Sequence, residues 1–336
     1  MQLKTIAVTG ANGFVGSHVI DKLIYRGDFN VIALVRPNSD TKWLNTKNCE
    51  IRRTDFYSID DIEKNISDTD IIIHVGGRVA APSYDEFYKA NVEVTLNIAE
   101  AAKNLQRKNN SRLHRFLLVS SQTASGPSDS LGSPKRPDDE CKPLSRYGVS
   151  KHKAEVELLD RFGDDLDFTI VRPPAVFGPR DTAILDVFKA IHKGVAPLIG
   201  FSDKYVTLVY VEDLANAVLD AALSEKTKAK TYFVGTERPY SWKDINKMLS
   251  TAKGGKVINI PLPEFIVKLF GFVSETIGGS NGKTPVFDRE KAVDFIQPYW
   301  ICDVSSATKD FGYKNQNSLI ENLTKTYKWY LDQGWL

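Results

Sequence analysis

The sequence predicts an α/β protein built on a doubly wound parallel sheet, with a smaller C-terminal α/β annex. Three observations predict it. Short β-branched runs alternate with amphipathic helical patterns through the first half of the chain. Those runs are continuously apolar rather than alternating, so both faces of each strand are buried and helices must cover the sheet on each side. A glycine triplet, Gly10, Gly13 and Gly16, joins the first run to the first helical pattern.

In chain order, strands are expected at Thr5–Val8, Val31–Val35, Glu50–Arg53, Ile71–His74, Phe116–Val119 and Phe168–Val171. Helical patterns fall between them at Gly13–Tyr25, Ile59–Asn65, Tyr84–Arg107 and Arg146–Phe162. Right-handed crossovers then wind the sheet both ways. After Arg172 the pattern loosens around Pro173, Pro174, Pro179 and Pro197. A strand at Val206–Val211 leads into a helix at Glu212–Leu223, and Thr231–Val234 reads as the last strand of the sheet. Ser241-Trp242-Lys243-Asp244 marks a helix N-terminus, and Ser318-Leu319-Ile320-Glu321 is a capping box opening the final helix. The expected division gives residues 1–176 and 206–236 to a dinucleotide-binding domain, and 177–205 and 237–336 to a substrate-binding annex. The stretch Ser125–Pro143, rich in Pro, Ser and Asp, is expected to be an exposed loop bordering the site.

Bulk properties exclude several classes. A chain of 336 residues can bury a large core. Its net charge of +2 makes no case for nucleic-acid binding. Three cysteines, Cys49, Cys141 and Cys302, are odd in number and far apart, which suits a reducing compartment rather than a disulfide framework. The five histidines show no metal-ligand spacing, so no metal is expected. The chain opens directly into a strand with no signal-peptide pattern, and a cytoplasmic protein is expected. No run approaches the ~18 apolar residues of a membrane span. The most apolar segment, residues 264–273, is too short to cross and reads first as a packed helix of the annex, with a lid or a shallow membrane contact as alternatives.

The glycines stand at spacing three and three in Thr9-Gly10-Ala11-Asn12-Gly13-Phe14-Val15-Gly16. Gly10 permits a tight turn, Gly13 lets the backbone approach a pyrophosphate, and Gly16 lets the helix pack on the sheet, as in a Rossmann fold. The helix N-terminus, from Asn12 through Phe14 and Val15, offers unpaired N–H groups and the positive end of its dipole to phosphate. At the end of the second strand an acidic residue would hold the ribose diol of NAD, but Arg36 stands there, 20 residues past Gly16. A guanidinium suits a 2′-phosphate, and Lys42 follows as a second cation, so NADP(H) is favoured. NAD(H) stays open if Arg36 merely stacks on the adenine. Asp55 and Phe56 end the third strand, where the adenine belongs. Val75, Gly76 and Gly77 follow the fourth with small residues that keep the backbone close to the cofactor, and His74 reads as a packed strand-end residue.

Tyr147 and Lys151 lie four apart on a helical pattern and share one face. A phenol with an ordinary pKa of about 10 is a poor base, but an ammonium nearby and an oxidised nicotinamide favour the phenolate. That pairing suits proton exchange with a substrate hydroxyl, with Lys151 also reaching the nicotinamide ribose. Ser121, in Ser120-Ser121-Gln122-Thr123 after the fifth strand, is the candidate donor to the substrate oxygen, with Thr123 as runner-up.

Taken together, these pieces resemble the extended short-chain dehydrogenase/reductase family, also called the NAD-dependent epimerase/dehydratase family. The matching segments are Gly10 to Gly16, Asn91-Val92-Glu93-Val94-Thr95-Leu96-Asn97, Ser120-Ser121, Tyr147 to Lys151, Arg172-Pro173-Pro174-Ala175-Val176-Phe177-Gly178-Pro179-Arg180 and Val211-Glu212-Asp213-Leu214, in the family's order. The resemblance implies that Asn91 holds a water relaying protons towards Lys151, and that Pro173 to Val176 contact the nicotinamide carboxamide. It also implies pairing into a homodimer through the helices around 84–107 and 146–162, unless the annex blocks it. The chain departs from the family's sugar enzymes. Ser121-Gln122-Thr123 replaces the Thr-Asp-Glu of dehydratases, Val206 stands where epimerases place a diphosphate-clamping arginine, and Pro173-Pro174 follows Arg172 where they carry an asparagine. These apolar replacements resemble the dihydroflavonol-reductase and 3β-hydroxysteroid-dehydrogenase branch.

Three readings follow. The first is an oxidoreductase moving a hydride between NAD(P) and a ketone or secondary alcohol of a small, uncharged substrate, with Tyr147 as acid/base. The second is a nucleotide-sugar epimerase or dehydratase-type enzyme that retains NAD, with Arg180 or Lys204 binding phosphate. The third is a non-catalytic dinucleotide sensor, which the intact Asn91, Ser121, Tyr147 and Lys151 argue against.

Overall fold

Six apolar runs and one later strand assemble into a single parallel sheet. The computed structural model describes residues 3–45, 47–108, 111–280 and 289–336. Its first half runs β1 (Lys4–Thr9), α1 (Phe14–Arg26), β2 (Phe29–Val35), β3 (Glu50–Arg53), α2 (Ile59–Ile66) and β4 (Ile71–His74). Next come α3 (Tyr84–Phe87), a π-helical turn (Tyr88–Glu93), α4 (Val94–Gln106), β5 (Arg115–Val119), α5 (Arg146–Phe162) and β6 (Phe168–Arg172). The remainder runs β7 (Ala175–Phe177), α6 (Leu185–His192), β8 (Val195–Ile199), β9 (Tyr205–Val206), β10 (Leu208–Tyr210), α7 (Val211–Leu223) and β11 (Lys230–Phe233). It closes with β12 (Tyr240–Ser241), α8 (Trp242–Lys253), β13 (Ile258–Leu262), α9 (Glu264–Ser280), α10 (Arg289–Ile296), β14 (Tyr299–Trp300), α11 (Ser305–Phe311) and α12 (Leu319–Asp332).

The main sheet has seven strands in the order β11-β6-β5-β4-β1-β2-β3, all parallel. The order reverses between β1 and β4, so a crevice opens beyond their carboxyl ends. Side chains alternate along β1: Ile6 and Val8 join Val19, Leu23, Leu214 and Val218 of α1 and α7 on one face. Ala7 joins Ile62, Ile98, Ala102 and Leu158 of α2, α4 and α5 on the other. The expected doubly wound α/β architecture is therefore the observed one. A third core, with Phe188, Ile191, Ile245, Leu249, Leu323 and Tyr330, holds α6, α8 and α12 together in the C-terminal part. The Ser241/Asp244 and Ser318/Glu321 capping boxes open α8 and α12 as the sequence predicts.

Four expectations are corrected. The helix over 84–107 is not uniform: a π turn at Tyr88–Glu93 interrupts it and shifts the facing of everything that follows. The strand at 206–211 is two strands with different partners: β9 pairs with β12 and β14, β10 pairs with β7, and Val211 already opens α7. The 125–143 loop is not simply exposed. Ser125 and Ser128 are buried, and the Ser128 and Lys135 N–H groups donate to the Tyr299 and Ile301 carbonyls, zipping the loop to the strand after α10. The apolar segment 264–273 is not packed inside the annex: only Val267 and Gly271 turn inward. Among the described residues no helix is long and apolar enough to cross a membrane.

Candidate active site

The glycine turn is shaped by two close approaches. Gly10 has φ of 63°, and a Cβ there would stand 2.8 Å from the Gly76 backbone after β4. A Cβ on Gly16 would come within 2.1 Å of the Gly10 carbonyl. The turn closes with the Gly13 N–H donating to the Gly10 carbonyl at 2.9 Å. Gly13 caps α1 with no side-chain acceptor, and no acidic residue occupies its first turn, so the N–H groups around Phe14 and Val15 stay available to an anion. An absent Cβ at the switch point and an uncapped helix N-terminus fit a dinucleotide pyrophosphate.

Arg36 follows β2 as an exposed residue and makes no ion pair among the described residues. The loop it opens is held in place: the Arg53 guanidinium donates to the Pro37 carbonyl, and Asn12 Nδ2 donates to the Asp40 carbonyl at 3.0 Å. The Asn12 side chain thus secures the loop that carries Lys42, whose ammonium lies 4.9 Å from the Trp43 ring centre. Asp55 accepts from the Tyr57 N–H through one oxygen, and Phe56 is buried beside it.

Ser121, Tyr147 and Lys151 come together across β5 and α5. Ser121 Oγ accepts from both the Thr123 N–H (3.2 Å) and the Thr123 hydroxyl (2.8 Å). That leaves the Ser121 proton for the Tyr147 oxygen or a substrate oxygen, and the hydroxyl of Thr123, the runner-up donor, is spent on Ser121. Burial pushes the Tyr147 phenol up to about 12, eased by a hydrogen bond with Ser121. Burial pulls the Lys151 ammonium down to about 8 against the pull of Glu155. Lys151 Nζ donates to the Val119 carbonyl at 2.9 Å. In the protein alone, burial therefore disfavours the phenolate, and Tyr147 stays protonated at neutral pH as an ordinary phenol does. Glu155, one turn beyond Lys151, forms a buried fork with Arg172 at 2.7 and 3.1 Å. Burial opposes its charge, yet His152 and Arg172 hold its carboxyl below its ordinary range.

Asn91 lies on the π turn, fully buried. Its Oδ1 accepts from the Arg78 N–H (2.7 Å), and its Nδ2 donates to the Arg78 carbonyl (3.0 Å) and to Ser150 Oγ (2.9 Å). A Cβ on Gly77 would sit 3.2 Å from Asn91 Oδ1 and 3.8 Å from Lys151 Nζ, so the turn after β4 is pressed against both. Both Nδ2 protons are thus spent on protein partners, while Oδ1, with one donor, keeps a second lone pair.

His74 is the residue that the pattern concealed. It is wholly buried, and burial, then the Lys151 charge, lower its pKa to about 3, so its ring is neutral. The Thr95 hydroxyl donates to the Asn91 carbonyl (2.6 Å) and must accept from His74 Nε2 (3.0 Å). His74 Nδ1 is then the acceptor for the Thr9 hydroxyl (2.6 Å), which accepts from the Gly76 N–H (3.2 Å). One directed chain of hydrogen bonds ties the glycine turn to the π turn. The only sequence signal was a polar residue closing an apolar strand.

The Arg172–Arg180 segment crosses to the annex. The Pro173 carbonyl accepts from the Gln122 N–H (2.8 Å), and Val176 pairs with Val209 beside the sheet. Arg180 holds φ of 72° and donates to Ser17 and Asp21 on α1, at 3.0 and 2.7 Å, with its guanidinium 5.0 Å from the Trp43 ring. Lys204 is buried against Glu264 (2.8 Å) and the Ile296 carbonyl. Val206 is buried in β9. The two cations considered for a substrate phosphate are thus both spoken for. Above Tyr147, Lys291 of α10 lies 5.4 Å from its ring centre, and Glu290 accepts from the Arg146 N–H and Nε. Among the described residues no cluster of His, Cys, Asp and Glu could hold a metal ion.

A parallel sheet with a glycine cradle at its switch point and a Ser–Tyr–Lys set beside it defines a nicotinamide-dinucleotide enzyme fold. The model of the NAD dependent epimerase/dehydratase family matches residues 6–235, and the chain belongs to that family. It is 28% identical to a ceramide reductase of Caulobacter vibrioides over 98% of this chain and 96% of that one. It is 24% identical to a UDP-glucose 4-epimerase of Vibrio cholerae, again over 98% and 96%. The crystal structure of gox2253 superposes with a TM-score of 0.81 at 26% identity, covering 98% of this chain and 99% of that one. Its relatives are thus both reductases and epimerases.

Proposed function

We propose that this chain is an NADP-dependent oxidoreductase that reduces a ketone, or oxidises the matching secondary alcohol, on a small, uncharged and partly apolar substrate. It would lie on the dihydroflavonol-reductase and 3β-hydroxysteroid-dehydrogenase side of its family. The observation that carries this reading is the meeting of Tyr147 with Ser121, which hydrogen-bonds it, and with Lys151 one turn on along the same helix. When bound, the nicotinamide supplies or takes up the hydride at the reacting carbon. Ser121 donates a hydrogen bond to the carbonyl oxygen and polarises it. As the carbon is reduced, Tyr147 passes its proton to that oxygen. Lys151, with its pKa near 8, can release and regain a proton close to neutral pH and so return Tyr147 to its protonated state. Asn91 positions the π turn against Ser150 and Arg78 and so fixes the wall behind Lys151.

Gly10, Asn12, Gly13, Phe14, Val15 and Gly16 would form the pyrophosphate cradle, with Arg36 and Lys42 at the 2′-phosphate. Asp55 and Phe56 would flank the adenine, Val75, Gly76 and Gly77 the ribose, and Pro173 and Val176 the carboxamide. Residues 1–176 and 206–236 would make the dinucleotide domain, and 177–205 and 237–336 the substrate annex.

The likeness to a ceramide reductase supports an apolar substrate. The likeness to a UDP-glucose 4-epimerase favours a second reading, epimerisation with retained NAD. Against it stand the buried Val206 and the engagement of Arg180 with Asp21 and of Lys204 with Glu264. The test is a fluorescence titration with NADPH and NADH, followed by a panel of ketones and UDP-sugars. Tighter NADPH binding and turnover of an uncharged ketone are the expected result. Purification with NAD already bound, and turnover of a UDP-sugar, would replace this reading with the second.

A further inference from the structure

We infer that the outward face of α9, with β13 and Phe201, is a docking surface for an anionic phospholipid bilayer. On α9, Val267 and Gly271 turn into the protein, while Phe265 (68% exposed), Ile266 and Leu269 (56%) turn out. A helix that is apolar on its outer as well as its inner face has no reason to stand in water. The strand leading into it continues the same surface. Asn259 of β13 points at α8, accepting from Asn246 Nδ2 at 3.3 Å, so its neighbours Ile258 (70%) and Ile260 point away from the body of the protein. Phe201 (81%) projects from the adjoining loop, which is tied to the end of β13 by the Gly200 N–H donating to the Leu262 carbonyl at 2.8 Å. Six large apolar side chains are thus exposed along the adjoining 200–201, 258–262 and 264–269 segments, where soluble surfaces scatter theirs singly.

The charges around the patch select its occupant. Lys193, Lys253 and Lys256 surround the entry to β13, and Lys268 rises from α9. None of the four pairs with a carboxylate among the described residues. Two copies of this chain meeting face to face would set these lysines against their own images, which costs rather than stabilises. An anionic headgroup layer satisfies the lysines while the apolar side chains enter the acyl boundary, as in helices that lie in the membrane plane. The patch also adjoins the site: α9 packs on α10, whose Lys291 and Glu290 reach Tyr147 and Arg146. Docking is independent of the reductase reading. Delivery of an apolar substrate from the bilayer to Tyr147 would rest on it.

The experiment is co-sedimentation of the full chain with vesicles of phosphatidylcholine, with and without phosphatidylglycerol. The wild type should bind the anionic vesicles at least 10-fold more tightly and lose that margin in high salt. Phe265→Ser with Leu269→Ser should cut binding to both vesicles at least 10-fold. Lys256→Gln with Lys268→Gln should remove only the anionic margin. Both variants should keep the wild-type melting temperature and NADPH affinity, so a failure of NADPH binding in every form would fall on the functional reading alone. Wild-type protein left in the supernatant with anionic vesicles, or Ser variants that sediment undiminished, overturns docking. So does a vesicle-free dimer that the Ser variants dissociate, because a second copy would then cover the face.

Discussion

Burial raises the Tyr147 phenol from its ordinary value near 10 to about 12, so it stays firmly protonated at neutral pH in the protein alone. A proton donor serves reduction of a carbonyl, where the oxygen gains charge as the hydride arrives. Removal of the phenol hydroxyl in Tyr147→Phe should lower turnover by about 10²–10⁴-fold while NADPH affinity stays within a factor of about two. Retained turnover in a ketone assay would take Tyr147 out of the reaction. At the other end of the cofactor site, Arg36 stands exposed without a carboxylate partner among the described residues. A charge-assisted contact to a 2′-phosphate is worth about 1.5–3 kcal/mol, so Arg36→Ala should weaken NADPH by about 10- to 150-fold and spare NADH. Equal losses for both cofactors would mean that the guanidinium only stacks on the adenine. The sequence singles out these two candidates because each combines an unusual side chain with a fixed offset from a recognisable motif. His74 was not, because its role depends on Thr9, Thr95 and Asn91, which no spacing joins to it.

The glycine turn works as an element because helix α1 must start close against β1. A methyl on Gly16 would overlap the Gly10 carbonyl at 2.1 Å, whereas one on Gly13 would stand 3.2 Å from the same atom. Overpacking of this kind costs about 1–3 kcal/mol when backbone must yield. Gly16→Ala should therefore lower both the melting temperature and NADPH affinity clearly more than Gly13→Ala does. Equal effects would show that the turn tolerates a Cβ at both places. Element boundaries in the apolar sheet followed directly from runs such as Ile71–His74, which only a two-sided burial explains. The π turn at Tyr88–Glu93 had no such signature. Its residues read as ordinary helix, and the wider turn is held by the Asn91–Arg78 and Thr95–Asn91 hydrogen bonds from outside and beyond the segment.

Across the whole molecule, two buried histidines couple the fold to pH. His74 is lowered to about 3 by burial and the Lys151 charge, and His18 to about 4 by burial and the Arg180 charge. The unfolded chain protonates both near 6.5, so below that pH it binds protons that the folded chain refuses, and stability falls as pH falls. Each histidine contributes about 1.4 kcal/mol per pH unit. Asp181, raised to about 6 by burial, works in the opposite sense below that value. With that offset, the net loss from pH 6.5 to 5 should be about 2 kcal/mol by denaturant unfolding, and His74→Gln should flatten the slope by one histidine's share. An unchanged slope in that variant would mean that His74 is protonated in the fold or exposed to water. The amino-acid sequence by itself determined the parallel sheet, the glycine cradle, the Ser121–Tyr147–Lys151 set and both capping boxes, because each is a local pattern whose physics acts within a few turns. Only the tertiary structure decided that Arg180 and Lys204 are engaged with carboxylates, that His74 links the glycine turn to Asn91, and that α9 faces outward. Those outcomes depend on which distant segments meet, and burial, pairing and the direction of a hydrogen bond exist only once they have met.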